Sequence, residues 1–159
     1  MKYFLTCFVI TIFTLFSNAQ NSPDFGLKGG LNLTFFMYDE EQFGISQDVV
    51  AGYYGGVFVD FNIDDKFHVQ PEVLYIGLGD FDFLNAPLYL KYDINNYWQI
   101  MIGPSLNYFF DFFSNKFKVL ADLGLAYDVL PKLDIHMKYT FVFEEITPNG
   151  LFLGIGYTL

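Results

Sequence analysis

The sequence predicts an all-β fold, an eight-stranded antiparallel up-and-down transmembrane β-barrel. Hydrophobic residues make up 53% of the chain and aromatic residues 21%, but charged residues only 16%, against about 25% in typical soluble domains. Beyond the N-terminal segment, charged, amide or glycine residues interrupt every stretch before 18 apolar residues accumulate, so helical spans are excluded. Period-two alternation of apolar and polar residues recurs in eight segments. A closed barrel is the remaining way to cross lipid with every backbone group satisfied.

The N-terminus has the pattern of a secretion signal. Lys2 precedes an uncharged, mostly apolar segment, residues 3–16, which is the length of a signal-peptide core and too short for a spanning helix. Small residues then lead to Ala19, after which we expect cleavage. The predicted organisation is therefore a signal peptide at 1–19 and one outer-membrane barrel domain at 20–159.

The first four predicted strands are residues 25–37, 50–61, 67–77 and 83–92. Each alternates apolar residues with polar or bulky ones, as a strand between lipid and a lumen should. The apolar positions include Leu27, Leu31, Leu33, Val57, Val59, Val69, Val73, Leu84, Leu88 and Leu90. The opposite positions include Lys28, Asn32, Phe58, Asp60, His68, Glu72, Asn85, Tyr89 and Lys91.

The last four predicted strands are residues 97–109, 117–128, 133–143 and 150–159. The alternation is nearly unbroken in the first of these, where Trp98, Ile100 and Ile102 lie opposite Gln99 and Met101. Inward positions in the last three strands are Lys118, Asp122, Gly124, Ala126, Asp128, Asp134, His136, Lys138, Thr140, Phe152, Gly154, Gly156 and Thr158. An even number of strands puts both termini at the same end.

The connections indicate the orientation. Those after even strands are compact and cover residues 62–66, 93–96 and 129–132. Those after odd strands are longer or richer in acidic and aromatic residues and cover residues 38–49, 78–82, 110–116 and 144–149. Outer-membrane barrels have short periplasmic turns and longer outer loops, so both mature termini are predicted to be periplasmic.

Aromatic residues near strand ends are expected to form two interfacial belts. The outer belt is predicted to contain Phe35, Phe36, Tyr53, Tyr54, Phe109, Phe110, Phe141 and Phe143. The periplasmic belt is predicted to contain Phe61, Phe67, Tyr92, Tyr97, Trp98 and Tyr127.

Several short segments carry a family resemblance. They are Gly26-Leu27-Lys28-Gly29-Gly30-Leu31-Asn32, Gly55-Gly56-Val57-Phe58, Gln70-Pro71-Glu72-Val73-Leu74-Tyr75, Ala86-Pro87-Leu88-Tyr89-Leu90-Lys91-Tyr92, Gly103-Pro104 and Gly154-Ile155-Gly156-Tyr157. Their order and spacing resemble the small outer-membrane β-barrel domain proteins common in Bacteroidota, called PorT-like, over the whole mature chain. The resemblance implies the bacterial outer membrane and an OmpX/OmpA-like barrel, and it implies no reaction. Membrane lipid and the barrel assembly machinery are the partners expected for such a protein.

The lumen is expected to be filled. An eight-stranded barrel is just wide enough for its own side chains, so an open diffusion pore is not expected. Inward Phe58, Tyr89, Met101 and Phe152 are predicted to plug the lumen.

Inward charges must be paired, because an isolated buried charge is costly. If Phe61 faces Phe67, then Asp60 faces His68, and Lys91 approaches from the next strand with Glu72 above. A first cluster, Asp60/His68/Glu72/Lys91, is therefore predicted.

The second hairpin predicts a second cluster. If Tyr127 faces Leu133, then Asp122 lies opposite Lys138, with Asp134 and His136 nearby. Both clusters are interpreted as structural filling that sets strand register, and a metal-linked or proton-linked role is the alternative.

Charge and motifs narrow the function. The mature chain has seven lysines, no arginine and eighteen acidic residues, a charge of −11, which excludes nucleic acid as a partner. The only cysteine, Cys7, leaves with the signal peptide, so no thiol or Cys metal site remains. No catalytic, cofactor or metal site and no enzyme activity is predicted.

The leading hypothesis is a structural or surface-interaction role through acidic outer loops that meet lipid headgroups, divalent cations, or an unidentified extracellular protein or glycan. The candidate contact residues are Asp39, Glu40, Glu41, Asp80, Asp82, Glu144 and Glu145. The alternatives are a small-molecule or lipid-binding barrel and, less favoured, a lipid-modifying outer-membrane enzyme. Such an enzyme needs a base and a nucleophile at the outer rim, where neither His68 nor His136 is expected.

Overall fold

Eight antiparallel strands close into a barrel in which each strand pairs with its neighbours in sequence and the last pairs with the first. The computed structural model describes residues 22–40, 44–79, 82–110, 116–142 and 149–159. The strands are β1 Asp24–Glu40, β2 Gly44–Asn62, β3 Phe67–Gly77, β4 Asp82–Asp93, β5 Trp98–Phe109, β6 Phe117–Leu130, β7 Leu133–Phe141 and β8 Asn149–Thr158. The predicted fold class is confirmed. Residues 1–19 lie outside the described part, so the signal peptide stays a prediction.

No helix in the described ranges combines the length and the apolar character that a membrane crossing requires.

The first hairpin is longer than predicted. Residues 38–49 were expected to form a loop, but β1 continues to Glu40 and β2 begins at Gly44. The loop prediction was wrong because continued antiparallel pairing, such as Tyr38 with Ser46, satisfies the backbone groups that a loop would leave to water. β7 ends at Phe141 rather than at residue 143.

This extension forms a projecting arm, residues 36–40 and 44–52. The pairing of β1 with β8 stops at Phe35 with Asn149, and that of β2 with β3 stops at Tyr53 with Gly77. Beyond those pairs the two strands bond only to each other within the described backbone. Five residues of strand reach about 17 Å.

The two ends of the barrel differ. Both termini and the turns at 63–66, 94–97 and 131–132 lie at what we call the terminal end. The arm and the other four connections lie at the opposite end, which we call the loop end. The loop-end connections are residues 41–43, 78–81, 110–116 and 142–148.

The outer surface is apolar and the interior is polar. Leu31 and Val119 on the outside are 64% and 66% exposed, whereas Asn32, Gln70 and Asp122 inside are at most 1% exposed. The predicted outward and inward faces are confirmed. The inward Phe58, Tyr89, Met101 and Phe152 are also buried.

Two predicted belt residues lie inside instead. Tyr54 and Phe109 are 4% and 5% exposed and pack in an apolar cluster with Leu74, Ile76 and Phe152. The belt prediction was wrong for these two because strand parity, and not position at a strand end, determines the face on which a side chain lies.

Two hairpin registers differ from prediction by two residues. Phe61 pairs with Val69 rather than with Phe67, and Tyr127 pairs with Ile135 rather than with Leu133, next to an irregularity at 128–130. A two-residue shift keeps every side chain on its face, so the inward set is unchanged and only the depths move.

Candidate functional site

The candidate site is the filled lumen, which the strands build in layers from the terminal end upward. The lowest layer joins three predicted residues. Asp60 Oδ1 lies 2.8 Å from His68 Nδ1, and Asp60 Oδ2 accepts a 2.7 Å hydrogen bond from Lys91 Nζ. His68 Nε2 also lies 3.3 Å from Asp93 Oδ2. His68 and Lys91 are cross-strand partners, which is why both reach Asp60.

Glu72 is separate from these contacts and has its own partner. Its Oε1 accepts a 2.6 Å hydrogen bond from Lys28 Nζ and a 2.5 Å bond from Gln70 Nε2. The side chains of Lys28 and Glu72 are 4% and 2% exposed, so the pair is dry. Glu72 was predicted to lie above Asp60 in the first cluster, but it pairs with Lys28 instead. The observed register places Glu72 opposite Phe58, closer to the terminal end than predicted, where Lys28 of β1 reaches it.

Asp122 is held by three groups around the barrel. It accepts hydrogen bonds from the Tyr89 hydroxyl at 2.7 Å and the Ser105 hydroxyl at 2.8 Å, and Lys138 Nζ lies 3.5 Å from its Oδ2. Asp122 is not opposite Lys138, as predicted, but opposite Thr140. The charges still meet because a lysine side chain is long enough to span one diagonal step.

Lys138 connects the ion pairs with the neutral side chains on its loop-end side. Its ammonium donates a 2.8 Å hydrogen bond to Asn85 Oδ1 and lies 4.3 Å from the centre of the Phe152 ring. The Asn85 Nδ2 amide in turn donates a 2.7 Å hydrogen bond to Asn107 Oδ1. The ion pairs therefore give way to neutral amides and aromatic rings toward the loop end.

A third chain of contacts runs through Asp134, His136 and Tyr54. Asp134 Oδ1 lies 2.7 Å from His136 Nδ1, and His136 Nε2 lies 2.7 Å from the Tyr54 hydroxyl. His136 and Tyr54 are 7% and 4% exposed. A carboxylate, an imidazole and a hydroxyl in line can hold a proton in place, but here the hydroxyl is enclosed among side chains.

Small residues make room for these long side chains. A Cβ added to Gly154 would lie 2.1 Å from the Tyr54 hydroxyl oxygen, and one added to Gly156 would lie 2.1 Å from Asp134 Oδ2. Glycine is therefore needed where a long side chain from another strand occupies the space that a Cβ would take.

Sequence reasoning left several of these partners out of the clusters. The residues concerned are Lys28, Tyr54, Gln70, Asn85, Tyr89, Ser105 and Asn107. All have inward parity, so the alternation of the sequence predicts that they face the lumen. Which of them meet depends on depth, which follows from register and not from alternation.

The acidic residues proposed for outer contact are only partly described. Glu41, Asp80, Glu144 and Glu145 lie outside the described residues, and for Asp39 and Glu40 only the backbone in β1 is described. Asp82 begins β4, and its carboxylate accepts a hydrogen bond from the Tyr75 hydroxyl. Asp48, on the arm, is exposed. Among the described residues no three His, Cys, Asp or Glu are grouped to hold a metal ion.

Solved barrels match this architecture. Ail, the attachment invasion locus protein of Yersinia pestis, solved in complex with the heparin analogue sucrose octasulfate, superposes with a TM-score of 0.58 at 14% identity over 87% of this chain and 100% of its own. Neisserial surface protein A gives 0.53 at 14% identity over 87% and 99%. A de novo designed transmembrane β-barrel gives 0.57 at 15% identity over 87% and 98%. The likeness shows the fold. No family model and no curated protein matches the sequence.

Proposed function

We propose that this chain is a small structural or surface-interaction barrel of the bacterial outer membrane, with a lumen that does not conduct. The observation that carries the proposal is the reversal of polarity across the barrel wall. Leu31, Ile155 and Val119 project outward at 56–66% exposure, whereas the lumen holds ion pairs. A water-soluble barrel would have the opposite arrangement, because exposed apolar area is unfavourable in water and free of cost in lipid.

The orientation follows from the two ends. Short turns face the periplasm in outer-membrane barrels and long connections face outward, so we place the loop end outside and both mature termini in the periplasm. PorT-like membership is part of this proposal and is supported by the sequence segments alone. We infer no enzymatic role, since the Tyr54 hydroxyl of the Asp134–His136–Tyr54 chain is buried.

Fractionation tests the location and liposome swelling tests the plug. We expect the protein in the outer-membrane fraction, with a gel mobility that changes on heating. Liposomes containing the refolded barrel should swell in isosmotic arabinose no faster than empty ones. A protein that stays soluble without detergent would refute the membrane proposal. Swelling like that of a porin would refute only the plug.

For surface contact, the arm is the element that projects beyond the wall. It carries Asp39, Glu40 and the exposed Asp48, and its outer edges present backbone groups to an added strand or loop. Ail was solved with the heparin analogue sucrose octasulfate, but an acidic segment repels sulfate, so we propose a cationic partner segment for this chain.

A labelled lysine-rich peptide tests the arm, with the barrel held in nanodiscs. Asp39→Asn with Glu40→Gln should weaken binding several-fold, because exposed charge pairs contribute modestly and are screened by salt. The matched control is Asp64→Asn with Asp65→Asn, which removes two charges from an exposed turn at the terminal end. Equal weakening by both variants would mean that only net charge matters and that the arm is not the contact.

A further inference from the structure

One charged side chain lies on the outward face of the barrel wall. Leaving the arm aside, Asp82 is the only charged residue at an outward position of the described strands, and the other outward residues are apolar, aromatic or glycine apart from Asn149. Asp82 begins β4 and shares the outward parity of Leu84 and Leu88. The cost of a charge on a lipid-facing wall falls from the bilayer midplane toward the interface, so the end of the strand is where a carboxylate is tolerated.

The strand register places Asp82 in one row with an exposed tyrosine. Gly77 pairs with Tyr53 on one side and with Asp82 on the other, and both are the last pairs of their strands at the loop end. A Cβ added to Gly77 would lie 2.6 Å from Tyr53 Cζ and 2.8 Å from its hydroxyl oxygen. The Tyr53 ring therefore lies over the glycine that separates it from Asp82.

A second tyrosine holds the carboxylate in place. The hydroxyl of Tyr75, one outward position closer to mid-barrel, donates a hydrogen bond to Asp82 Oδ2. No lysine or histidine of the described ranges forms an ion pair with Asp82. An ionised carboxylate has about four lone-pair sites, so the bond from Tyr75 leaves most of its accepting capacity open. Tyr53 and Tyr75 are 60% and 39% exposed, so both rings are accessible beside the carboxylate.

This arrangement suits a cation that donates hydrogen bonds. Bonds from an ammonium to a carboxylate are charge-assisted and stronger than neutral ones, and tyrosine rings attract a cation over their faces. A divalent metal ion is less suited, since calcium needs several oxygen ligands and the described residues contain no group of three metal-binding side chains. The ligand chemistry that fits is a primary ammonium.

The surface next to this row fits the rest of a lipid molecule. Val57, Val73 and Leu88 lie outward closer to mid-barrel and are 49–53% exposed. Acyl chains cover such apolar surface in a membrane, where its exposure has no cost. Four residues of strand separate Val73 from Gly77, a rise of about 13 Å. A lipid whose chains lie against the valines therefore has its headgroup near the row of Tyr53 and Asp82.

We propose that Asp82, Tyr75 and Tyr53 bind the primary ammonium group of a membrane lipid headgroup. The ammonium donates hydrogen bonds to the Asp82 carboxylate and lies against the tyrosine rings, while the acyl chains cover the aliphatic surface beside them. This site rests on the proposed membrane location. It is separate from the arm and holds whether or not the arm binds a cationic partner.

Native mass spectrometry of the purified protein tests the site with lipids of defined headgroup. The protein in detergent is mixed with equal amounts of dimyristoyl phosphatidylethanolamine and dimyristoyl phosphatidylcholine. Both headgroups are zwitterionic and carry a positive nitrogen, but only phosphatidylethanolamine has N–H donors. We expect phosphatidylethanolamine to be retained about three- to tenfold over phosphatidylcholine, the effect of about one hydrogen bond.

Asp82→Asn removes the charge and keeps an oxygen acceptor for Tyr75, and it should bring the retention ratio close to one. Asp64→Asn, the matched control, removes the same charge from an exposed turn at the terminal end and should leave the ratio unchanged. The arm variant Asp39→Asn with Glu40→Gln should also leave it unchanged. If Asp82→Asn does not fold, the wild-type comparison of the two lipids still decides.

Three results would overturn the proposal. Equal retention of the two lipids by the wild type would mean that N–H donors are not recognised. A preference that survives Asp82→Asn would mean that the headgroup binds elsewhere. Stronger retention of phosphatidylglycerol, dependent on added magnesium, would mean that the carboxylate holds a divalent cation against a lipid phosphate. These results leave the membrane location itself intact, because fractionation decides that separately.

Discussion

The dry Lys28–Glu72 ion pair yields a prediction that tests the plugged lumen directly. Lys28 Nζ lies 2.6 Å from Glu72 Oε1, and both side chains are at most 4% exposed. Lys28→Met leaves the Glu72 charge unpaired, and Glu72→Gln leaves the Lys28 charge unpaired while keeping an acceptor for Gln70. Each single change should destabilise the barrel by about 3–5 kcal/mol, because a buried charge without a partner is strongly unfavourable.

The double variant should lose less than either single one. With both charges gone no desolvated ion remains, and replacing a buried pair by neutral groups of similar volume is often close to neutral. The glutamine keeps the bond from Gln70, so we expect a loss within about 1 kcal/mol, the net value of one hydrogen bond. The cycle is therefore strongly non-additive, as expected for residues in contact.

Equilibrium unfolding in guanidinium, with the barrel folded into phosphatidylcholine vesicles, measures these free energies. The only tryptophan, Trp98, lies on the outer face near the terminal end, 4.9 Å from the Tyr127 ring, and its fluorescence reports folding without a label. Asp64→Asn, in an exposed turn, is the control and should be neutral. Single variants that lose less than about 1 kcal/mol each and add up in the double would mean that water reaches the pair, and the plug argument would be wrong.

Three further predictions use the same assay. Gly154→Ala should cost about 1–3 kcal/mol, because the new Cβ would displace both the Tyr54 hydroxyl and the Gly29 carbonyl oxygen, whereas Gly55→Ala, whose nearest atom would be 3.8 Å away, should be close to neutral; equal effects would show that space at Gly154 is not limiting. Thr34→Val should cost about 1 kcal/mol through loss of its hydrogen bond to Asn32, whereas Thr140→Val should be close to neutral, and a larger loss at Thr140 would show that its hydroxyl is already satisfied. Leu31→Lys, on the outer face, should cost about 2–4 kcal/mol in lipid, and the same change at Ile63 in a turn should not; a Leu31→Lys variant as stable as the wild type would argue against a lipid-facing wall.

The fold could be predicted from the sequence because the two faces of each strand lie in different surroundings. Lipid outside and packed polar groups inside impose opposite preferences on successive residues, so alternation gives both the strand and its face. β3 begins and ends at the predicted residues. Tyr54 was predicted to lie in the outer belt, although its parity is that of the inward residues Phe58 and Asp60. The error arose because aromatic rings occur both in interfacial belts and in the lumen.

Depth could not be predicted in the same way. A shift of two residues between paired strands keeps every side chain on the same face, so the alternation of apolar and polar residues is compatible with several registers. The geometry of the turn determines which of them forms. The tight turn at 131–132, together with the irregularity at 128–130, places Asp122 opposite Thr140 instead of Lys138. The parity of Lys28 within its strand places it in the lumen. Its pairing with Glu72, however, depends on both the β1–β2 register and the β2–β3 register.

The layering of the lumen connects stability with function. Long charged side chains from the terminal end to mid-barrel fill the space that inward glycines leave open, and each carboxylate described there has a donor within hydrogen-bonding distance or an ion-pair partner. Closer to the loops the lining changes to asparagine, threonine and phenylalanine, for which desolvation is less costly than for charges. An ion-paired region loses stability when one member is removed, so it suits a fixed plug.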